Sequence, residues 1–158
     1  MPCKNGFVRS INISNGGVPK RSISHAVINA LGIESDKQAN TKSHGGPMRA
    51  LCLFSFELQE ALNSEGHSIR PGDLGENLTV SGLDWNTVTP GERFQIGSVC
   101  IEITEYTTPC YKIAAYFKDE DFVRIDQTKN PGWSRVYARI IDGGELSLNE
   151  SVVPAKAT

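Results

Sequence analysis

The stretch RFQIGSVCIEIT, residues 93–104, decides the fold class. Its second half alternates apolar and polar residues from Val99 to Ile103, which is the pattern of a strand with one buried face. The Gly97-Ser98 pair interrupts the alternation and suits a two-residue turn between strands. The stretch therefore predicts a β-hairpin.

Other segments repeat the period of two. In FVRSINIS, residues 7–14, the pattern places Phe7, Ile11 and Ile13 on one buried face and leaves Val8 as the exception. ARIIDGGELSL, residues 138–148, predicts a second hairpin that turns at its paired glycines. RALCLFS, residues 49–55, is typical of a shorter and more buried strand.

Two short helices are predicted among these strands. FELQEALNSEG, residues 56–66, has Leu58 and Leu62 at helical spacing, and Gly66 supplies the stop. A second helix is expected to begin at Cys110, where the apolar residues that follow are spaced three and four apart. Many short strands with a few short inserted helices indicate a mostly β protein, a β-barrel.

Composition narrows the function. The chain has 158 residues, which favours one domain, and a net charge of −2 with no basic tract, which argues against nucleic acid as a partner. No apolar run has the length of a membrane span or the character of a signal peptide. The four cysteines form no Cys-x-x-Cys pair, so we expect reduced thiols in a cytoplasmic protein.

KSHGGPMR, residues 42–49, is the first candidate site. Paired glycines allow positive φ and a close approach to a ligand, and the flanking side chains suit phosphate or another anion. The candidate residues are Lys42, His44, Gly45, Gly46 and Arg49. The alternative interpretation is a plain turn that precedes a strand.

RPGDLGENLTV, residues 70–80, is the second candidate. Gly75 allows a tight bend, and the amide of Asn77 carries an acceptor and donors that suit the edge of a heterocycle. The alternative is an Asx turn at the entrance of a strand.

Cys110 is the third candidate. It follows Pro109, so it can sit at the start of a helix, where unpaired amides favour a thiolate, and Lys112 adds positive charge. A thiolate binds soft metals or attacks electrophiles. The alternative is a small buried hydrophobe, which is our interpretation of Cys52, whereas Cys100 stays ambiguous. The sequence has no spacing typical of a zinc site, a serine hydrolase, a P-loop or a dinucleotide fold.

Taken in order, these stretches resemble the MOSC domain family, named for the C-terminal domain of molybdenum cofactor sulfurases. The resemblance runs from about residue 7 to residue 153 and rests on four segments: GGVPKRSISHAVINALGIESDKQANTKSHGGPMRALCLFSFE, PGDLGENLTVSGLDW, PGERFQIGSVCIEITEYTTPCYKI and GWSRVYARIIDGGELSLNESV. It implies one MOSC domain over residues 1–158, of the stand-alone bacterial type.

The family resemblance also implies a cofactor and a site. Its barrel has a cleft for the molybdenum cofactor, molybdopterin, and the family's shared cysteine matches Cys110, as a molybdenum ligand or as the carrier of a sulfur atom. The resemblance also implies that the residues named above in the segment 42–49 lie near the phosphate or the pterin. Glu76 and Asn77 line the opposite wall, and Arg135 adds positive charge.

Three functions follow from the resemblance. The first is an oxidoreductase that reduces small N-hydroxylated or other N-oxygenated substrates, with electrons from a separate donor protein. The second is a sulfur carrier that holds a persulfide on Cys110, supplied by a cysteine desulfurase. The third is a non-catalytic binding module, favoured by Tyr106-Thr107-Thr108, where many stand-alone relatives have an arginine. The family's association with pyridoxal phosphate would require a partner in trans.

Overall fold

A computed structural model describes residues 5–36 and 46–156 of the chain. Its regular structure is mostly β. The described part of the chain contains these strands: β1 (Gly6–Ile13), β2 (Arg21–Ile23), β3 (His25–Asn29), β4 (Gly32–Ile33), β5 (Leu51–Ser55), β6 (Leu78–Ser81), β7 (Arg93–Ile96), β8 (Val99–Tyr106), β9 (Val136–Asp142), β10 (Gly144–Ser147) and β11 (Ser151–Ala155).

The helices are short. One is an α-helix, α1 (Phe56–Ser64), and the others in the described residues are 3₁₀ helices at Pro47–Arg49, Trp85–Thr87, Tyr111–Tyr116, Lys118–Glu120 and Phe122–Ile125. None of the helices within residues 5–36 and 46–156 is long and apolar enough to cross a membrane.

Seven strands close into a barrel. Their order is β1-β11-β7-β8-β9-β5-β6, and β6 returns to β1, while β2 pairs with the far end of β1. All neighbours are antiparallel except β5 and β6, which are parallel and joined by a connection that contains α1. The prediction of a mostly β barrel with a few short inserted helices is therefore confirmed.

The hairpin predicted for residues 93–104 is formed by β7 and β8. Ile96 pairs with Val99 across the turn, and Gly97 takes the positive φ of 58° that the turn requires. The alternating apolar side chains of β8, Val99, Ile101 and Ile103, are all buried in the barrel core. The period of two thus predicted the buried face, and the Gly97-Ser98 turn predicted the pairing.

The buried face of β1 differs from the prediction. Its register against β6 shifts between Val8 and Ser10, which marks a β-bulge. The extra residue brings Val8 onto the same side as Ile11 and Ile13, and all three are buried, whereas Phe7 is only partly buried. The prediction for Phe7 was wrong because alternation read through a bulge assigns the wrong face.

The second predicted hairpin, at Gly143-Gly144, does not form. β10 does not fold back onto β9 but pairs with β3 in a separate sheet of order β10-β3-β4. A side chain at Gly143 would meet the carbonyl oxygen of Ile28 at 2.5 Å. This glycine therefore serves the close passage of the chain beside β3, not a turn.

The helix predicted in residues 56–66 is confirmed as α1. The hydroxyl of Ser55 accepts a hydrogen bond from the amide of Leu58 at 3.1 Å and caps its start. Leu62 is fully buried, and Gly66, with φ of 107°, follows its end.

We predict that Leu78→Ala destabilises the fold by about 2–5 kcal/mol, because it leaves a cavity where the barrel is closed between β5 and β1. Leu78 is fully buried and pairs with both Leu53 and Ile11. Urea denaturation measures the change. The matched control Leu31→Ala removes a leucine that is 63% exposed and should change the free energy of unfolding by less than about 0.5 kcal/mol. Equal losses in the two variants would contradict this description of the core.

Candidate functional site

A cleft of about 700 Å³, open mouth included, lies beside the barrel. It brings together four of the residues that the sequence singled out, although they are far apart in the chain: Arg49, Asn77, Cys110 and Arg135. Residues that the sequence analysis did not assign to a site also line it, among them Lys20, Asp36, Cys52 and Tyr137.

Not every predicted site residue lines this cleft. Lys42, His44 and Gly45 lie outside the described residues. Gly46 precedes the 3₁₀ helix Pro47–Arg49 with the expected positive φ, 81°, but it is not part of the cleft lining.

Glu76 was predicted to line the cleft wall, and the structure corrects this. Glu76 is fully buried, and its carboxyl group accepts hydrogen bonds from Gln59 and from Thr79, the latter at 3.0 Å. The carboxyl group therefore lies behind the wall, while the next residue, Asn77, forms part of the lining.

Cys110 lies on the cleft lining and is partly exposed. It occupies the residue before the 3₁₀ helix Tyr111–Tyr116, and its carbonyl oxygen accepts a hydrogen bond from the amide of Ile113 at 3.2 Å. The helix predicted here is thus a tighter one of six residues, whose dipole is small. Within residues 5–36 and 46–156, no group of three or more His, Cys, Asp and Glu side chains is arranged to hold a metal ion.

Arg135 places a buried positive charge in the cleft. The residue is 6% exposed, and its Nη1 donates to the carbonyl oxygen of Leu74 at 2.6 Å. Its Nε is buried and has no hydrogen-bond partner among the described residues. The ion pairs found in this part of the chain all involve other cations. Burying a charge without a counter-ion is costly, and no ion pair in the described residues offsets the charge of this guanidinium.

Lys20, by contrast, has its counter-ion. Its Nζ lies 2.7 Å from Oδ1 of Asp36, and both side chains are almost completely buried. Asp36 also accepts hydrogen bonds from the amide of Ser14 at 2.9 Å and from Nδ2 of Asn77 at 2.8 Å. This ion pair therefore belongs to the wall of the cleft and leaves little charge for a ligand.

The amide of Asn77 is used within the protein. Its Oδ1 accepts from the backbone amide of Cys52 at 3.0 Å, and its Nδ2 donates to Asp36 and to the carbonyl oxygen of Asn12. Both donors are therefore engaged. The sequence suggested that this amide reads the edge of a heterocycle, but the structure gives it the role of holding the cleft wall.

Cys52 and Tyr137 face each other across β5 and β9. Burial is the main cause that raises the pKa of both groups, so the thiol and the phenol stay protonated at neutral pH. The guanidinium of Arg49 lies 5.1 Å from the centre of the Tyr137 ring. Cys52 is buried, as predicted for it, but it also lines the cleft.

Sequence signals for the missed residues existed. Lys20 closes the GGVPK segment and Asp36 closes GIESD, two segments that carry the family resemblance. Neither pattern shows that the two side chains form an ion pair across 16 positions of the chain. Tyr137 carried no signal beyond its place in a predicted strand.

The comparison with known families agrees with this architecture. The model of the MOSC domain matches residues 40–153. The chain belongs to the MOSC domain family. That match includes β5, β6 and the strands that follow them, together with Cys110 and Arg135.

Three relatives found by sequence are longer than this chain. It is 34% identical to protein YiiM of Escherichia coli over 123 residues, which are 74% of this chain and 54% of YiiM. It is 31% identical to YflK of Bacillus subtilis over 137 residues, 83% of this chain and 59% of YflK. A protein of Gibberella moniliformis named a reductase is 28% identical over 134 residues, 79% of this chain and 24% of that protein. The chain thus spans a little over half the length of its two bacterial relatives.

Solved structures share the fold. The crystal structure of YiiM from Escherichia coli superposes with a TM-score of 0.70 at 22% identity, over 99% of this chain and 72% of that one. The YUAD protein of Bacillus subtilis gives a TM-score of 0.71 at 16% identity, over 97% of both chains. At these identities the likeness concerns the MOSC fold alone.

We predict that Asp36→Ala destabilises this MOSC domain by about 3–5 kcal/mol, because it leaves the buried ammonium group of Lys20 without a counter-ion. The exposed neighbour Glu34 provides the control, since Glu34→Ala removes the same charge without opening the wall. Thermal and urea unfolding of both variants give the two free energies. A loss at Asp36 no larger than that at Glu34 would show that the ion pair does not hold the wall.

Proposed function

We propose that the cleft binds the molybdenum cofactor with Cys110 as the protein's ligand to the metal, and that the protein reduces small N-hydroxylated or other N-oxygenated compounds. The observation that carries the proposal is the buried guanidinium of Arg135, which has no counter-ion among the described residues and shares the cleft with Cys110. A phosphate-bearing cofactor supplies the missing negative charge.

The residues of the cleft fit such a group. Arg135 would hold its anionic part through its guanidinium group, and Lys112, exposed at the same cleft, adds a second positive charge. Cys110 offers a soft sulfur ligand, which suits molybdenum. When bound, the cofactor supplies the electron-transfer chemistry of the reduction.

The second thiol of the cleft does not compete for the metal. Burial raises the pKa of Cys52, so it stays a thiol, and only the thiolate is a good metal ligand. Its sulfur also lies 3.8 Å from the hydroxyl of Thr107, in a buried contact. Cys110, which is partly exposed, is therefore the thiol available to a metal.

Tyr137 brings a protonated phenol to the cleft, beside the protonated thiol of Cys52. Reduction of an N-hydroxyl group breaks the N–O bond and releases water, so it consumes two electrons and two protons. The protonated phenol of Tyr137 can donate a hydrogen bond to the oxygen that leaves. The electrons come, in this proposal, from a separate flavin or iron–sulfur protein in the cytoplasm, where the free thiols of Cys52, Cys100 and Cys110 stay reduced.

The molybdenum content of protein purified from a host that makes the cofactor tests this function. We expect close to one equivalent in the natural protein and at least about a tenfold loss in Cys110→Ser and in Arg135→Met, which remove the metal ligand and the anion partner. Mass spectrometry of the metal gives the value. Cys100→Ser is the control, because Cys100 is a buried thiol that is not part of the cleft lining. Negligible molybdenum that is unchanged by Cys110→Ser would refute the proposal.

A second candidate, a sulfur carrier, is favoured by the position of Cys110 on an open cleft. A desulfurase persulfide would pass its outer sulfur to the Cys110 thiolate, forming one S–S bond and breaking another, and the donor leaves as a thiolate. We expect the mass of one added sulfur atom on the Cys110 peptide after incubation with a cysteine desulfurase and free cysteine. The peptides of Cys52 and Cys100 should stay unmodified, and equal labelling of all thiols would exclude a carrier.

A protein that takes up neither molybdenum nor sulfur would be a non-catalytic binding module.

A further inference from the structure

Glu76 is a fully buried acid behind the wall of the cleft. The hydrogen bonds that its carboxyl group accepts from side chains, from Thr79 and from Gln59, both end on Oε2. Its other oxygen, Oε1, has no partner among the described residues. An ionised carboxylate in that position would leave half of its charge unsolvated.

Gln59, which donates the hydrogen bond to Glu76, also has an oxygen without a partner among the described residues. It lies on α1, is 1% exposed, and donates through Nε2 to Glu76, while its own Oε1 is buried and lacks a partner in the described part of the chain. The two Oε1 atoms that lack donors therefore belong to two side chains that already share a hydrogen bond. One hydrogen atom shared by the two unpaired oxygens would satisfy both of them.

Glu76 forms no ion pair within residues 5–36 and 46–156. The groups that face it are the neutral side chains of Gln59 from α1 and Thr79 from β6, and the backbone at Gly72 and at Glu76 itself. Cys52 from β5 also interacts with it and stays a neutral thiol, although the cations of Arg135 and Lys20 act on the same thiol. Burial raises the pKa of the Glu76 carboxyl in spite of its hydrogen bonds.

We propose that Glu76 is a neutral carboxylic acid in the folded protein, whose Oε1 hydrogen is donated to Oε1 of Gln59. An acid and an amide paired in this way exchange two hydrogen bonds, since each group gives one donor and one acceptor. The pairing satisfies both unpartnered oxygens with a single proton. It does not depend on what the cleft binds.

The pair is a positioning element for the cleft. Asn12 links it to β1, because its Nδ2 donates to the carbonyl oxygen of Glu76 and to the hydroxyl of Thr79, both at 3.1 Å. Asn77, the next residue, holds Cys52 and Asp36. Ionisation of Glu76 would set its charge against the oxygen of Gln59 and push α1 away from this wall.

The pH dependence of unfolding tests the proposal. The folded protein keeps this proton to a higher pH than the unfolded chain, so stability is lost as the pH rises above the ordinary pKa of glutamate. Above about pH 5, the unfolding constant of the natural protein should rise by up to about tenfold per pH unit relative to that of Glu76→Gln, until the carboxyl group of the folded protein itself ionises. Glu60→Gln, the same change on the exposed side of α1, should follow the natural protein.

Infrared spectroscopy gives a readout that a merely structural role would not change. The natural protein and Glu60→Gln should show the carbonyl band of a protonated carboxylic acid at neutral pH, and Glu76→Gln should lack it. If Glu76→Gln does not fold, carbon-13 NMR of natural protein labelled in glutamate should show one side-chain carboxyl in the acid form. Parallel pH curves for the natural protein and Glu76→Gln, or glutamates that are all ionised, would overturn the proposal.

Discussion

The cleft depends on one cluster of buried hydrogen bonds, formed by the amide of Asn77 and the carboxylate of Asp36. Together they bind the backbone of β1 at Asn12, the backbone of β5 at Cys52, and the ammonium group of Lys20. The polar groups that these segments bring to this depth require partners, and the cluster supplies them. The functional side chains of the cleft are therefore arranged around a wall whose own polar groups are already satisfied.

Arg135 differs from the polar groups of this wall, because its Nε has no hydrogen-bond partner among the described residues. Lys20 and Arg135 line the same cleft and are both buried, yet Lys20 has a carboxylate at 2.7 Å, whereas the hydrogen bond found for Arg135 among the described residues goes to a carbonyl oxygen. The difference separates a cation that maintains the structure from one that is available to a ligand.

The sequence predicted the local structure better than the contacts between distant segments. The β7–β8 hairpin and α1 could be predicted because turn residues, alternation and capping act within a few positions. The bulge after Val8 and the pairing of β10 with β3 could not, because the period of a strand does not specify its partner. For the same reason, the meeting of Cys110 with Arg135 followed only from the family resemblance. Asn77 was interpreted as a ligand-binding residue, but its amide bonds other parts of the protein. The sequence could not separate the two roles, because an amide group can bind a ligand or the protein's own backbone equally well.

The closure of the barrel has a consequence for how the chain acquires its structure. β1 pairs with β11 through Gly6 and Val152, so residues from the two ends of the described chain form adjacent strands. During synthesis β1 has no partner on that edge until β11 has left the ribosome, and its exposed edge can meanwhile pair with other chains. The β5–α1–β6 unit, whose contacts are closer in sequence, can form much earlier. Ring closure is then a late step, because it waits for the last strand of the barrel.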